Sequence, residues 1–78
     1  MGKIITDSFA MNKGKSFFND KKAKTLAKLN NMNGDEIKAG STVTILNRGN
    51  SKISFDIKED ETGVTIRNVW CEQLEFQD

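Results

Sequence analysis

The sequence contains no histidine, no proline and no tyrosine, and it has a single cysteine and a single tryptophan. Without histidine the most common general base is missing, and neither a Ser–His nor a Cys–His catalytic pair can form. The lone cysteine, Cys71, has no partner for an internal disulfide bond and no histidine with which to complete a zinc site. We therefore expect a protein that is not an enzyme and that carries no cofactor and no metal ion.

Long apolar runs are also missing, because no stretch approaches the ~20 residues that cross a bilayer. Near the start of the chain, Ile4-Ile5 is followed at once by polar residues 6–8 instead of the apolar core of a signal peptide. A lone cysteine suits a reducing compartment. These features predict a cytoplasmic protein with no membrane contact.

The length of 78 residues is enough for a single domain over 1–78 with a small core. A domain of this size buries only about 60% of the surface that its unfolded chain exposes, so a homo-oligomer is an alternative to the monomer. The charges are divided, because residues 1–28 carry a net charge of +5 and residues 29–78 a net charge of −4. The basic segment is either an arm for an anionic partner, a stretch that attracts the acidic half, or a set of lysines that keep a helix in solution.

Two local patterns resemble chemical motifs and have simpler explanations. Gly14-Lys15-Ser16 looks like the end of a phosphate-binding loop, but Phe9 stands where that motif requires its first glycine. The acidic run Glu59-Asp60-Glu61 falls at a predicted hairpin turn, where water does not raise a carboxylate pKa and the spacing matches no calcium loop. Both patterns are interpreted as solvated loops.

Residues 19–32 have the composition of a helix, because lysine, alanine and leucine favour helices and no glycine or proline interrupts them. Asn19 or Asp20 offers an N-cap, and Gly34 offers a stop. On a helical projection the apolar and the basic residues lie on opposite faces: Ala23, Leu26 and Ala27 on one, and Lys21, Lys24 and Lys28 on the other. The sequence predicts a short basic amphipathic helix over 19–32, preceded by an N-terminal arm over 1–18.

Over residues 37–78 the apolar residues recur at every second position, most clearly in 53–57, which is the period of a half-buried strand. Turn-forming residues at 48–51 and 59–63 separate the strands. The alternation slips near Asn68, where a bulge or a short turn fits. This stretch is predicted to be an antiparallel β region.

The order of these features resembles a small Src-homology-three-like β-barrel. The resemblance begins in Ile37–Ile45, which matches a turn feeding the first long strand, and it ends in Val69–Phe76. It implies an α+β fold that is mainly β, a small antiparallel barrel or curled sheet preceded by the basic helix. The peptide-binding function of that family does not carry over, because the aromatic groove is missing and only Trp70 is a candidate platform.

The stretch from Lys13 to Lys28 contains six lysines with Phe17-Phe18 among them. Lysines contact phosphates and aromatic rings stack on exposed bases, so this combination suits a protein that binds single strands. The competing interpretation places the two phenylalanines in the core or in a helix staple, and Trp70 in the core or at an interface rim. The candidate binding face consists of Lys13, Lys15, Phe17, Lys21, Lys24, Lys28 and Trp70.

Three functions fit these observations. The first hypothesis is a small non-catalytic interaction module that binds a protein partner or a second copy of itself, as an assembly component or as a small inhibitor. The second is nucleic-acid binding through the lysine-rich arm and helix. The third is capture of a small ligand at a subunit interface. The small core and the divided charge favour the first.

Overall fold

Strands account for most of the regular structure in this computed structural model, which describes residues 2–14 and 16–77. One α-helix, α1, spans Asp7–Met11, and a 3₁₀ turn spans Cys71–Gln73. The strands are β1 (Lys3–Ile4), β2 (Lys22–Thr25), β3 (Leu29–Asn30), β4 (Glu36–Ile37), β5 (Thr42–Arg48), β6 (Ser54–Glu59), β7 (Thr65–Trp70) and β8 (Leu74–Phe76).

Six of the strands form one antiparallel sheet in the order β1-β8-β2-β5-β6-β7, and β3 and β4 form a separate hairpin. The predicted mainly β, antiparallel character is therefore confirmed. Within the described ranges this sheet ends at β1 on one side and at β7 on the other, and no closed barrel is found.

The prediction of a basic helix over 19–32 is wrong, because β2 and β3 lie there instead. β2 is a central strand, in which Ala23 pairs with Val43 of β5 on one side and with Phe76 of β8 on the other. Its side chains alternate between exposed and buried along the strand. Helix propensities among ordinary residues differ by up to about 0.7 kcal/mol per residue, and backbone pairing with a strand on each side outweighs such a preference.

The helix that does form, α1, lies inside the stretch predicted as an arm, and its one charged residue is Asp7. It begins after Thr6, whose side-chain oxygen accepts a hydrogen bond from the backbone N–H of Phe9 at 3.1 Å. The predicted arm belongs to the core, as its fully or almost fully buried residues show: Ile5, Ala10 and Phe18. No helix in the described part of the chain is long and apolar enough to cross a membrane.

Two irregularities in the main sheet face Asp56 of β6. In β7 an extra residue opposes it, and Asn68 at this point has a φ angle of +57°, so the slip predicted near Asn68 is confirmed. In β5 the register shifts between Ile45 and Asn47, which the sequence does not predict. The Asp56 carboxylate accepts a hydrogen bond from the backbone N–H of Asn68 at 3.1 Å. Bulges of this kind increase the local twist of the sheet.

The buried residues of the main sheet alternate with exposed ones, so that the core lies against one of its faces. The opposite face is polar, and on it Lys24 pairs with Thr42 and with Glu75 in the neighbouring strands. The core cluster consists of Ile5, Ala10, Phe18, Ala23, Ile37, Val43, Ile45, Phe55, Ile57, Ile66, Val69, Cys71, Leu74 and Phe76.

Candidate functional site

All five phenylalanine rings of the chain form one cluster that runs from the core to the surface. At the inner end, Phe18 is 1% exposed and packs on Phe55 with 4.9 Å between the ring centroids. At the outer end, Phe17 is 38% exposed and meets Phe18 edge to face at 4.9 Å. The core interpretation of this pair is therefore right for Phe18, whereas Phe17 is a surface ring held in place by its neighbour.

Three lysines lie over the outer rings of this cluster. The Nζ atom of Lys3 is 4.3 Å from the ring centroid of Phe9, and that of Lys13 is 4.9 Å from the centroid of Phe17. The Nζ atom of Lys21 is 5.9 Å from the Phe17 centroid. These cation–π contacts place positive charge beside the exposed ring of Phe17 and the half-buried ring of Phe9. We call Lys3, Phe9, Lys13, Phe17 and Lys21 the aromatic–lysine surface.

Among the residues that the structure describes, the lysines of this surface form no ion pair with a carboxylate. The ion pairs found there join Lys22 to Asp60 at 2.7 Å and Lys28 to Glu36 at 3.8 Å. The lysines of the aromatic–lysine surface belong to neither pair. Their charge is therefore directed to solvent or to a partner.

Elements far apart in the sequence place these residues together. β1 sets Lys3 opposite Phe76 of β8, at the edge of the sheet. Before β2, Asp20 adopts a φ angle of +65°, and its backbone N–H donates to the carbonyl oxygen of Ile45 at 2.7 Å. The N–H of Ile45 in turn donates to the carbonyl oxygen of Lys21 at 2.8 Å. Lys21 is therefore fixed against β5 and does not lie on a helix.

A cleft of about 500 Å³ shares Lys13 with this surface and lies between Lys13–Gly14 and residues 48–52. Arg48 connects the two walls, because its Nη2 donates to the carbonyl oxygens of Lys13 at 3.2 Å and Gly14 at 3.4 Å, and its Nη1 to that of Lys52. Burial lowers the pKa of Arg48, but a guanidinium group stays charged at neutral pH. The charged lining residues, Lys13, Arg48 and Lys52, are all cationic. We call this the cationic cleft.

The structure brings together three residues of the predicted binding face: Lys13, Phe17 and Lys21. Lys24 lies on the polar face of the main sheet, and Lys28 lies beside Glu36. The helical face predicted for Lys21, Lys24 and Lys28 does not exist, because a strand places alternate residues on opposite faces. Lys15 lies outside the described residues.

Trp70, the remaining predicted residue, is 45% exposed at the end of β7 and is not part of the core. Its Nε1 donates a hydrogen bond to Oδ1 of Asp7 at 2.9 Å, and the same oxygen accepts one from Sγ of Cys71 at 3.2 Å. Burial, followed by this contact with Asp7, raises the pKa of Cys71 to about 12, so the thiol is protonated at neutral pH. Trp70 is thus a surface ring anchored to α1.

Four members of the site are not predicted from the sequence: Lys3, Phe9, Arg48 and Lys52. No local pattern marks them, because the folding of β1 and α1 brings Lys3 and Phe9 near Phe17, and that of β5 brings Arg48 and Lys52 near Lys13. One signal for the underlying strand is present: residues 22–25 read Lys-Ala-Lys-Thr, a strict polar–apolar alternation apart from the threonine, which is buried.

Two of the three carboxylates in the acidic run at 59–61 accept hydrogen bonds from other residues of the chain. Asp60 accepts hydrogen bonds from Lys22 at 2.7 Å and from Thr44 at 2.6 Å, and the first of these contacts is the main cause that lowers the pKa of Asp60. Glu59 accepts one from the Thr62 hydroxyl at 2.7 Å. In residues 2–14 and 16–77, no group of three or more histidine, cysteine or acidic side chains is arranged to hold a metal ion.

The chain matches no protein-family model, and neither a curated protein nor a solved structure is significantly similar to it. The resemblance to Src-homology-three-like domains therefore stays a prediction. Function is inferred from the aromatic–lysine surface and the cationic cleft.

Proposed function

We propose that this protein is a small non-catalytic module that binds single-stranded nucleic acid on the aromatic–lysine surface. The observation that carries the proposal is the exposed ring of Phe17, which has the ammonium groups of Lys13 and Lys21 4.9 and 5.9 Å from its centroid. A flat ring beside concentrated positive charge is the arrangement that binds a base together with its phosphates.

Two separate interactions would hold the strand. A base that stacks on an aromatic side chain contributes about 1–3 kcal/mol, and every base has a face that can stack. Lysine ammonium groups attract the phosphates without reading the bases, because they lack the planar fork of arginine. Binding is therefore expected to depend little on sequence and strongly on salt.

The exposed ring favours a single strand over a duplex. In a duplex each base is covered by its neighbours, so that Phe17 could reach a base face only after unstacking. In a single strand the bases are already available. A duplex of the same sequence would contact the lysines alone and should bind more weakly.

A protein partner remains the second candidate, and its support lies on a different surface. Trp70 is 45% exposed and is anchored by its hydrogen bond to Asp7. Met11, one helical turn after Asp7, is 57% exposed. Exposed tryptophan and methionine are enriched in protein interfaces. The homo-oligomer, the cytoplasmic location and the Src-homology-three-like curled sheet stay predictions from the sequence. The small-ligand hypothesis does too, and no contact among the described residues favours it over the other two functions.

The proposal is tested by fluorescence anisotropy with a short labelled oligothymidylate over a series of salt concentrations. The wild-type protein should bind at low salt, and log affinity should fall linearly with log salt concentration. Phe17→Ala should weaken binding about 5- to 150-fold, the equivalent of one lost stack. Leu26→Ala is the matched control, because Leu26 is exposed to a similar degree, 41% against 38%, outside this surface.

Two results would contradict the proposal. One is a wild-type protein that does not bind the oligonucleotide at low salt. The other is Phe17→Ala binding as tightly as Leu26→Ala. A further check is competition with poly-glutamate: if it competes as well as an unlabelled oligonucleotide, the surface recognises acidic polymers in general and the assignment to nucleic acid is overturned.

A further inference from the structure

We infer that the cationic cleft binds a backbone phosphate of the same strand whose base stacks on Phe17. This inference rests on the proposed function and adds to it a second, separate contact. It assigns the phosphate site to Lys13 and Lys52, with Arg48 joining the two walls that carry them.

The cleft and the ring are neighbours because they share Lys13. The Nζ atom of this lysine is 4.9 Å from the Phe17 centroid, and the same residue lines the cleft. In a nucleotide the base and the phosphate are joined through one sugar. A strand that stacks a base on Phe17 therefore carries a phosphate toward the cleft that begins at Lys13.

The electrostatics of the cleft favour an anion. Its charged lining residues are the cations Lys13, Arg48 and Lys52. A second cleft of similar volume, about 540 Å³, has the opposite character, because the acidic run 59–61 lines it together with Lys38. A phosphate entering the first cleft meets three positive charges and no carboxylate among its lining residues, whereas the second would repel it.

The walls of the cleft are held in place by hydrogen bonds within the protein. Arg48 holds one wall through the carbonyl oxygens of Lys13 and Gly14 and the other through that of Lys52. The N–H groups used in these bonds are not available to a ligand. Arg48 therefore supplies charge and position, and the direct contacts with the phosphate fall to the two lysines.

The size of the cleft agrees with a sugar–phosphate unit. A volume of about 500 Å³ lies within the range of small-molecule sites, roughly 300–1,000 Å³. Gly14 and Gly49 contribute no side chain to its walls, so the backbone of a strand can approach closely. The cleft can therefore take the phosphate with its attached sugar.

Lys52→Gln tests this inference, because Lys52 lines the cleft and, among the residues that the structure describes, lies over no aromatic ring. We expect the slope of log affinity against log salt for the oligothymidylate to fall in magnitude by about 0.7, the value for one lost phosphate contact. Phe17→Ala should lower affinity and leave the slope unchanged. Lys58→Gln is the matched control, because Lys58 is an exposed lysine of β6 that does not line the cleft.

The outcomes separate the two proposals. If Lys52→Gln keeps the slope of Lys58→Gln while Phe17→Ala still weakens binding, the cleft inference is overturned and the proposed function stands. If the wild type does not bind the oligonucleotide, but inorganic phosphate raises its melting temperature and Lys52→Gln abolishes that shift, the cleft is a site for free phosphate. The assignment to a strand is then overturned together with the proposed function.

Discussion

The Nη2 atom of Arg48, at the end of β5, donates a hydrogen bond to the carbonyl oxygen of Ala10 in α1 at 2.7 Å. The same guanidinium group lies over the rings of Phe18 and Phe55, 5.1 and 5.2 Å from their centroids. One side chain thus joins α1, the inner part of the phenylalanine cluster and both walls of the cationic cleft. Arg48 positions the segment that follows α1 against the sheet.

Arg48→Lys should destabilise the protein by roughly 1–3 kcal/mol, although the charge is kept. A single ammonium group cannot reach the carbonyl oxygens on both walls, so some of them lose their donor. Urea unfolding followed by the fluorescence of the single tryptophan measures the change. Arg67→Lys is the matched control on the exposed edge strand β7 and should stay within about 0.5 kcal/mol of the wild type. Equal losses in the two variants would contradict the positioning role.

The same Arg48→Lys variant should also separate position from charge in binding. Because the positive charge remains, the salt slope for the oligothymidylate should stay at its wild-type value. Affinity should fall at every salt concentration, since Lys13 and Lys52 are no longer held at their distance from each other. A reduced slope would contradict this expectation, because it would show that a phosphate contact is lost together with the guanidinium group.

Gly49→Ala should destabilise the protein because the turn at 48–51 leaves no room for a Cβ atom. A Cβ at position 49 would lie 2.6 Å from the Ser54 Oγ and 3.2 Å from the Cα of Asn68, and a backbone atom cannot move aside cheaply. We expect a loss of roughly 1–3 kcal/mol, measured as thermal or urea unfolding. At Gly14 no described atom lies within 4 Å of a new Cβ, so Gly14→Ala should be nearly neutral. Comparable losses at 49 and 14 would refute this explanation.

The strands of the C-terminal half could be predicted because apolar and polar residues alternate along each of them, and this pattern is visible in a short stretch of sequence. Phe55 and Ile57 alternate with polar residues, and they are buried where the pattern places them. Asn68 interrupts the alternation, and the bulge is there. In β2 the same alternation covers only four residues and is outweighed by the helix preference of Lys and Ala, and the strand is stabilised by β5 and β8, which are distant in sequence.

The candidate site was predicted only in part for the same physical reason. Lys13, Phe17 and Lys21 are close in sequence, and a basic stretch with an aromatic residue is visible in the chain. Lys3 joins them through the pairing of β1 with β8, and Arg48 through β5. Sheet order decides these contacts, and nothing in a local window of sequence encodes it.

The stability of the protein should fall in alkaline solution through Cys71. Burial, and then the hydrogen bond to Asp7, raise the pKa of this thiol from its ordinary 9.0 to about 12. Above pH 9 the unfolded state loses the proton and the folded state keeps it, so the free energy of unfolding decreases as pH rises toward 12. Cys71→Ala should remove this component. The measurement is urea unfolding of both proteins across that range, and a difference between them that does not change with pH would contradict it.

Asn68 contributes to stability in two ways that substitutions can separate. Its φ angle of +57° is unfavourable for residues with a Cβ atom other than asparagine and aspartate, and its Oδ1 accepts a hydrogen bond from the backbone N–H of Asn50 at 2.7 Å. Asn68→Asp keeps both features and should be close to the wild type. Asn68→Gly tolerates the angle but loses the hydrogen bond, at a cost of about 1 kcal/mol. Asn68→Ala loses the bond and is strained as well, so it should be less stable than Asn68→Gly by about 1 kcal/mol. Urea unfolding gives the order of the three variants, and an alanine variant as stable as the glycine variant would show that the left-handed backbone at the bulge costs nothing.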